Sequence, residues 1–277
     1  MAATVLKYDP TRNWGDALAP WLIERLSGVA PEVVPLREPC ERANLLTVGS
    51  VLRMADARTT VWGSGFISAD DGLGLQDWGE ARGEVRARPA AVRAVRGPLT
   101  REKLRAMSVD CPEVYGDPAL LLPRLVQPSA KRSFALGVVP HYTDRRHPAL
   151  EELRADPAVR VIDVRLGKLG LLLGRPDLER FIREITRCER IVSSSLHGLV
   201  VAEAYGIPSQ RARLGDGVVG GDFKFEDFLA SVGREGEAAL TLDRTTTRQA
   251  ILDRFRGGTG TFDPEPLLAA APFEIVV

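Results

Sequence analysis

Short apolar runs alternate with segments of helical periodicity along most of this chain, and this alternation is the strongest constraint on its fold. Period and composition predict strands at 4–7, 45–48, 60–62, 91–95, 114–115, 134–139, 159–163, 190–192 and 209–213. They predict helices at 17–26, with Asp16 as N-cap, and at 98–107, 176–187, 199–205, 225–232 and 246–256. Strands that alternate with helices form parallel sheets covered on both faces, so an α/β fold is expected.

A polar, turn-rich segment at 123–132 divides these elements into two sets. The chain has 277 residues, 44% of them hydrophobic, which is enough for one large core or two medium ones. We therefore predict two domains, 1–130 and 131–277, that face each other across a cleft.

Charge and cysteine content exclude several classes of protein. The formal net charge is +0, so no overall field attracts the chain to nucleic acid or to an anionic membrane. Cys40, Cys111 and Cys188 are far apart and lack zinc-site spacing, which predicts reduced thiols, no disulfide and no structural zinc.

The sequence starts without a secretory pattern, and its apolar runs are far shorter than the roughly 20 residues of a membrane span. We expect a cytoplasmic protein.

The turn Ser194-Ser195-Leu196-His197 connects a predicted strand to a predicted helix. Such a turn lies at the carboxyl edge of a parallel sheet, where α/β proteins bind ligands and where free amide groups favour anions. His197 is therefore a candidate site residue, and Ser194 and Ser195 add hydroxyl donors. The alternative is that His197 caps the helix or bonds a neighbouring carbonyl, and that the serines are simple N-caps.

Two further turns follow strands. Gly63-Ser64-Gly65 resembles a phosphate-binding loop in position, but it lacks the dinucleotide spacing and the P-loop lysine, so a tight packing turn explains it equally well. His141 follows the predicted strand 134–139, again at a carboxyl end, whereas His147 lies in a charged loop and is expected to be solvated.

Arginines are frequent between 82 and 105, and most are expected on a solvated face. Arg96 differs because it comes directly after the predicted strand 91–95 and before Gly97-Pro98. A guanidinium at a strand's carboxyl end offers the planar fork that fits a carboxylate or phosphate. We expect Arg96, His141 and His197 to face one cleft.

Six segments occur in an order that resembles the polysaccharide pyruvyl transferase family, in its bacterial exopolysaccharide type. They are Asn13-Trp14-Gly15-Asp16, Trp62-Gly63-Ser64-Gly65, Val95-Arg96-Gly97-Pro98-Leu99-Thr100, Tyr115-Gly116-Asp117-Pro118-Ala119, Pro140-His141-Tyr142 and Ser194-Ser195-Leu196-His197-Gly198. The resemblance extends from about Val5 to about Phe228.

The resemblance implies two Rossmann-like domains arranged as in GT-B glycosyltransferases. It also implies transfer of the enolpyruvyl unit of phosphoenolpyruvate onto a sugar as a cyclic ketal, with release of phosphate. The donor, a co-substrate, would be held by the second domain and the acceptor by the first, with no other cofactor and no metal. The expected acceptor is a lipid-linked saccharide of a cell-surface polymer, which would bring the protein into transient contact with the inner membrane.

Several residues in or beside the six segments then have an expected role. Arg96 would bind the donor's anionic groups, His197 would act as general acid, and either His141 or Asp16 would be the base. The predicted substrate-binding residues are Asn13, Gly15, Gly63, Ser64, Gly65, Asp117, Ser193, Ser194 and Ser195. Many family members carry arginine where this chain has Ser195, so Arg211 or Arg213 is a candidate to supply the missing charge.

Two other functions fit the same sequence pattern. A nucleotide-sugar glycosyltransferase would share the two-domain architecture and would bind a nucleoside diphosphate at the Gly63–Gly65 turn. A non-catalytic saccharide-binding protein would tolerate serine at position 195, and its function would survive replacement of His197.

Overall fold

Two separate parallel sheets of five strands each form the frame of the chain. The computed structural model describes residues 4–9, 11–38, 40–74, 83–167, 177–215 and 217–277. The first sheet contains β1 (Val5–Lys7), β2 (Glu32–Val34), β3 (Asn44–Leu46), β4 (Thr59–Trp62) and β5 (Ala91–Ala94). The second contains β6 (Leu136–Val139), β7 (Val159–Val161), β8 (Ile191–Ser193), β9 (Ser209–Arg213) and β10 (Leu240–Thr241).

The strand order is the same in the two sheets. It is β2-β1-β3-β4-β5 in the first and β7-β6-β8-β9-β10 in the second. In register, Leu6 of β1 lies opposite Val33 of β2 and Leu45 of β3, and Gly137 of β6 lies opposite Arg160 of β7 and Ile191 of β8. The order reverses between β1 and β3 and between β6 and β8. Ligands bind at such reversal points in open α/β sheets, at the carboxyl ends of the strands.

Eight α-helices are described. They are α1 (Trp14–Ser27), α2 (Pro98–Ala106), α3 (Ala149–Ala155), α4 (Leu178–Thr186), α5 (Leu196–Ala204), α6 (Phe223–Ser231), α7 (Arg248–Arg254) and α8 (Pro264–Ala269), with short 3-10 helices at Leu52–Met54 and Pro118–Arg124. In α4, Leu178, Phe181, Ile182 and Ile185 form a buried stripe of helical period. The Asp177 side chain accepts from the Arg180 amide and so caps the helix.

The structure confirms the predicted α/β class with two parallel sheets, but several local predictions are wrong. Asp16 is not an N-cap, because α1 begins at Trp14 and Asn13 occupies the cap position. Residues 114–115 form no strand, and only a single bridge joins Val95 to Tyr115. The predictions missed the short edge strands β2 and β10 and the helices α3 and α8. Pro176, the first residue of one predicted helix, lies outside the described residues.

The two sheets share a central core. Each sheet has a separate apolar cluster on one face, around Phe66 and Leu104 in the first and around Leu150 and Ile251 in the second. A third cluster contains residues from both halves, among them Trp14, Leu18, Trp62, Phe181, Leu199, Phe225 and Phe228. This continuous burial fixes one half against the other.

The C-terminal segment packs against the first sheet. The Trp62 indole donates to the carbonyl of Leu267 in α8 at 2.9 Å, and its ring contacts Phe273 edge to face at 5.4 Å. The amide of Val276 donates to the carbonyl of Leu26 at the end of α1. The boundary at residue 130 stays a prediction, and these contacts place the last turns of the chain beside its first half. In the ranges that the structure describes, no helix is long and apolar enough to cross a membrane.

Candidate functional site

A cavity of about 1180 Å³ opens at the carboxyl edges of both sheets. The loops that follow β1, β3 and β4 line one side, and those that follow β6, β8 and β9 line the other. Both reversals of strand order therefore face the same space. Of the predicted site residues, this cavity brings together Asn13, Asp16, His141, Ser195 and His197.

His197 is the second residue of α5 and is only 5% exposed. Its imidazole lies over Gly15, where any Cβ would overlap the ring, so the absence of a side chain at Gly15 allows this close packing. The predicted contact of Gly15 with substrate stays a prediction. The edge of Trp14 meets the ring with centroids 6.1 Å apart. The ring makes no hydrogen bond that would cap the helix, so the structure does not support the capping interpretation.

Asp117 lies behind His197 rather than on the cavity wall. It is 0% exposed, and one carboxylate oxygen, Oδ1, accepts from the amide of Ala119 at 2.9 Å. The other, Oδ2, lies 3.6 Å from His197 Nε2. The side chain of Asp117 thus faces the histidine and does not line the cavity. Its predicted contact with substrate stays a prediction.

His141 follows β6 and lines the cavity on the side of the second sheet, as His197 does. Its backbone amide donates to Ser194 Oγ at 2.8 Å, and its Nδ1 lies 2.7 Å from Thr143 Oγ1. Burial, reinforced by the charge of Lys224 and opposed by Asp144, lowers the pKa of His141 to about 4. The ring is therefore neutral near pH 7 and is not an imidazolium that could donate a proton.

Lys224 is a cavity residue that the sequence analysis missed. It lies in the first turn of α6, is 6% exposed, and donates from Nζ to the carbonyl of Val219 at 3.0 Å. Burial and the charge of Arg96 lower the pKa of Lys224 to about 8, with Asp16 acting in the opposite direction. Within the described ranges, it is the cavity cation without a carboxylate at ion-pair distance, since Lys7, Arg37 and Arg53 are paired with Asp56, Asp9 and Asp71.

Asp16 projects into the same space from the first turn of α1. Burial raises its pKa, while the charges of His197 and Lys224 and a hydrogen bond from Asn13 act to lower it. Asn13 Oδ1 and Thr47 Oγ1, on the same wall, have no hydrogen-bond partner. A partly buried carboxylate with two unsatisfied oxygens beside it is well suited to bind hydroxyl groups.

Arg96 lies behind the cavity wall, which corrects the prediction that it faces the cleft. It is 0% exposed, and its guanidinium donates to Asp227 Oδ2, Ser50 Oγ and the Phe66 carbonyl at 2.9, 2.7 and 2.6 Å. Asp227 also accepts from the amide and hydroxyl of Thr100 at 2.8 and 2.7 Å. Protein groups from both halves therefore use the donors that were expected to bind a ligand.

The turn Gly63-Ser64-Gly65 is a packing turn and does not line the cavity. Gly63 has φ +84°, and a Cβ there would overlap the ring of Pro118. A Cβ at Gly65 would overlap the Arg96 guanidinium, and Ser64 Oγ donates to the Gly49 carbonyl at 3.0 Å. Of the two interpretations left open by the sequence, the geometry fits the tight turn.

Of the three successive serines, only Ser195 lines the cavity. Ser193 Oγ donates to the carbonyls of Val139 and Ser195, and Ser194 Oγ donates to Asp144 Oδ2 at 2.7 Å. Ser193 and Ser194 thus hold the two histidine-bearing loops together. Arg211 and Arg213 both pair with Asp222 and line a separate pocket of about 210 Å³, so neither supplies a charge to the large cavity.

The signal for Lys224 was present in the sequence. Gly220-Gly221 follows a strand and precedes a helix, which is the same pattern that identified His197. In the part of the chain that the structure describes, no group of three His, Cys, Asp or Glu side chains has a geometry able to hold a metal ion.

Comparison with known proteins gives one family and two curated relatives. A family model described as polysaccharide pyruvyl transferase matches residues 43–209. The succinoglycan biosynthesis protein ExoV of Rhizobium meliloti (strain 1021) is 28% identical over 228 residues, which cover 80% of this chain and 62% of that protein. An uncharacterized protein of Acanthamoeba polyphaga mimivirus is 32% identical over 146 residues, or 51% of this chain and 48% of that protein.

The chain thus spans about half to three fifths of the length of these relatives. No solved structure matches it significantly.

Proposed function

The chain belongs to the polysaccharide pyruvyl transferase family, and on that basis we propose that it transfers the enolpyruvyl group of phosphoenolpyruvate onto a saccharide. The product would be a cyclic pyruvate ketal, and phosphate would be released. The observation that carries this proposal is the single cavity that holds His197, Lys224 and Asp16 at the carboxyl edges of both sheets. These residues supply a proton donor, a cation and a base, which are the three groups that the reaction needs.

The donor is proposed to bind along the wall formed by the second sheet. Phosphoenolpyruvate carries a carboxylate and a phosphate on a three-carbon frame, so its site needs directed cations and N–H donors. Lys224 supplies the cation. The first amide groups of α5, beside Ser195, have no intrahelical acceptor and favour an anion.

Ketal formation begins when the methylene carbon accepts a proton, which we assign to the imidazolium of His197. The neighbouring carbon becomes electrophilic and forms a bond to the oxygen of one sugar hydroxyl. Its bond to the phosphate oxygen then breaks, and a second hydroxyl of the same sugar closes the ring. The two hydroxyl protons balance the one consumed at the methyl group and the one that leaves on hydrogen phosphate.

The acceptor is proposed to bind the wall formed by the first sheet, with Asp16 as the base. Burial raises the pKa of Asp16, which makes its carboxylate a better proton acceptor than an exposed aspartate, whereas burial lowers the pKa of His141 to about 4 and makes that imidazole a poorer acceptor than a free one. Asn13 Oδ1 and Thr47 Oγ1 would accept hydrogen bonds from the sugar. His141 then contributes a neutral polar edge beside the donor.

The proposal also includes what the sequence led us to expect of the domain arrangement, the acceptor and the location of the protein. They are a GT-B-like arrangement of two Rossmann-like domains, a lipid-linked acceptor of a cell-surface polymer, and a cytoplasmic protein in transient contact with the inner membrane face. The two sheets of identical strand order, joined by a common core with a cavity at their carboxyl edges, support the arrangement.

The test is direct. The protein is incubated with phosphoenolpyruvate and a panel of hexose glycosides that differ in their pairs of free hydroxyls, and products are analysed by mass spectrometry for the added pyruvate ketal and by assay for released phosphate. Ketal formation that disappears in His197→Ala supports the proposal. Turnover of a nucleotide sugar in its place, or wild-type ketal formation by His197→Ala, would refute it.

A further inference from the structure

Asp117 and His197 come from different halves of the molecule and meet in a buried contact. Asp117 precedes the 3-10 helix Pro118–Arg124, and His197 lies in the first turn of α5. Asp117 Oδ2 and His197 Nε2 are 3.6 Å apart, and neither atom has a hydrogen-bond partner. Two buried polar atoms that face each other and are otherwise unsatisfied are strongly driven to pair.

The surroundings fix the direction of this contact. The amide of Ala119 holds Asp117 Oδ1, so Oδ2 is the oxygen that faces the histidine. One face of the imidazole packs on Gly15, and the Trp14 ring makes an edge contact with the imidazole. Because Nε2 faces the carboxylate, Nδ1 is the ring nitrogen that is left for the substrate.

We propose that Asp117 is the positioning residue of His197: it accepts a hydrogen bond from Nε2–H, fixes that tautomer, and leaves Nδ1 to exchange the catalytic proton. The contact of 3.6 Å is longer than a hydrogen bond, as is common for catalytic pairs before substrate binds. A carboxylate behind a histidine also stabilises the imidazolium that donates the proton. The assignment rests on the proposed function for the role of Nδ1, whereas the tautomer itself does not depend on it.

The tautomer can be measured on the free protein by ¹⁵N NMR of labelled histidines. The chain has three histidines, so His141→Gln and His147→Gln variants assign the His197 signals. We expect the neutral wild-type ring to carry its proton on Nε2. In Asp117→Asn the Ala119 amide would still hold the side-chain oxygen, so the new NH₂ group would face Nε2 and move the ring proton to Nδ1.

The kinetic consequence follows from the tautomer. In Asp117→Asn we expect kcat to fall about 10²- to 10⁴-fold, as when the equivalent carboxylate of a Ser-His-Asp triad is replaced, with the Kd for phosphoenolpyruvate nearly unchanged. Asp144→Asn is the matched control, because Asp144 is also buried but faces the loop of His141. It should leave the His197 tautomer unchanged.

An Nδ1–H tautomer in the wild type, or a tautomer that does not respond to Asp117→Asn, would overturn the assignment. The wild-type measurement needs no variant, so poor folding of Asp117→Asn does not remove the test. A failure to form ketal would count against the proposed function alone, since the NMR experiment uses no substrate.

Discussion

Arg96 and Lys224 are both buried cations at helix α6, but the two differ in how many protein groups accept hydrogen bonds from them. Lys224 belongs to the first turn of the helix, and Arg96 binds Asp227, which lies one turn further along it. The guanidinium of Arg96 has a carboxylate, a hydroxyl and a carbonyl as acceptors, whereas the ammonium of Lys224 has one backbone carbonyl. The difference teaches that a buried charge is free for a ligand only when the protein has not already neutralised it.

Helix α6 therefore contributes both to the packing of the two halves and to the lining of the cavity. Asp227 binds Arg96 and Thr100, which belong to the first half of the chain, and so fixes α6 against that half. Lys224 is held at the cavity as a consequence. We expect Arg96 to act on stability and Lys224 to act on donor binding, and four measurements test this division.

The largest expected effect is that of Arg96→Met on folding. The change leaves Asp227 buried with an uncompensated charge, and the loss of one partner from a buried ion pair costs about 3–5 kcal/mol of unfolding free energy. Urea denaturation measures it. Arg37→Met is the control, because Arg37 also lines the cavity but is half exposed, and a change within about 0.5 kcal/mol is expected.

A double variant sharpens this result. Arg96→Met combined with Asp227→Leu removes both charges and should recover much of the lost stability, since apolar replacement of a whole buried pair is often neutral. A loss below about 1 kcal/mol for Arg96→Met, together with abolished donor binding, would reverse the roles that we assign to Arg96 and Lys224.

Lys224→Met should weaken the binding of phosphoenolpyruvate without loss of stability at pH 7. Removal of one charged hydrogen-bond donor costs about 1.5–3 kcal/mol, or roughly ten- to 150-fold in Kd. Stability should not fall, because the lowered pKa of Lys224 means that burial disfavours its charge in the folded state. Isothermal titration with phosphoenolpyruvate measures the affinity, and an unchanged Kd would contradict the assignment.

The pH dependence of donor binding gives a third test. Lys224 is charged below its folded pKa of about 8 and loses its proton as the pH rises through that value. If only the charged form binds, affinity should fall only about twofold from pH 7 to 8 and then approach a loss of about tenfold per pH unit. Asp16, Arg96 and Arg211 are the charged groups that act on this lysine.

Lys224→Arg is the variant that isolates the effect, because a guanidinium stays charged. Its donor affinity should be independent of pH between 7 and 9.5. The stability of the folded protein should change with pH in the opposite direction to donor binding. Between pH 8 and 10.5 Lys224 holds a proton in the unfolded chain that it lacks in the folded chain, so the unfolding free energy of the wild type should rise with pH. A pH profile of binding that is the same in Lys224→Arg as in the wild type would exclude Lys224 as its origin.

The smallest expected effect concerns Ser195, where many family members carry arginine. Ser195→Arg in the Lys224→Met background would return a cation to the same cavity. It should recover about 1 kcal/mol or less of donor binding, up to roughly fivefold in Kd, because the long arginine side chain loses rotamer freedom when it binds the donor. Titration of the double variant against Lys224→Met alone measures the recovery, and no recovery would mean that the two positions serve different parts of the donor.

The sequence predicted the cavity residues better than it predicted their roles. His141, Ser195 and His197 were placed by the argument that they follow strands whose carboxyl ends meet at one edge, whereas Asn13 and Asp16 were placed by the resemblance to the family. Arg96 satisfied the same argument and yet lies behind the wall, because the sequence did not reveal Asp227, 131 residues away, as its partner. Lys224 had a comparable signal in the glycines before α6, but it was overlooked because the loop is longer.

The alternation of apolar strands and amphipathic helices by itself determined the α/β class, the two sheets and the ends of the strands at which polar turns collect, since these depend on local periodicity and turn chemistry. Only the tertiary structure decided which buried charges are paired and which are left for a ligand. It joined Arg96 to Asp227 and brought His197 to Asp117, because such pairings depend on how one half packs against the other. Packing between distant segments selects partners by shape and burial, which no local pattern of residues encodes.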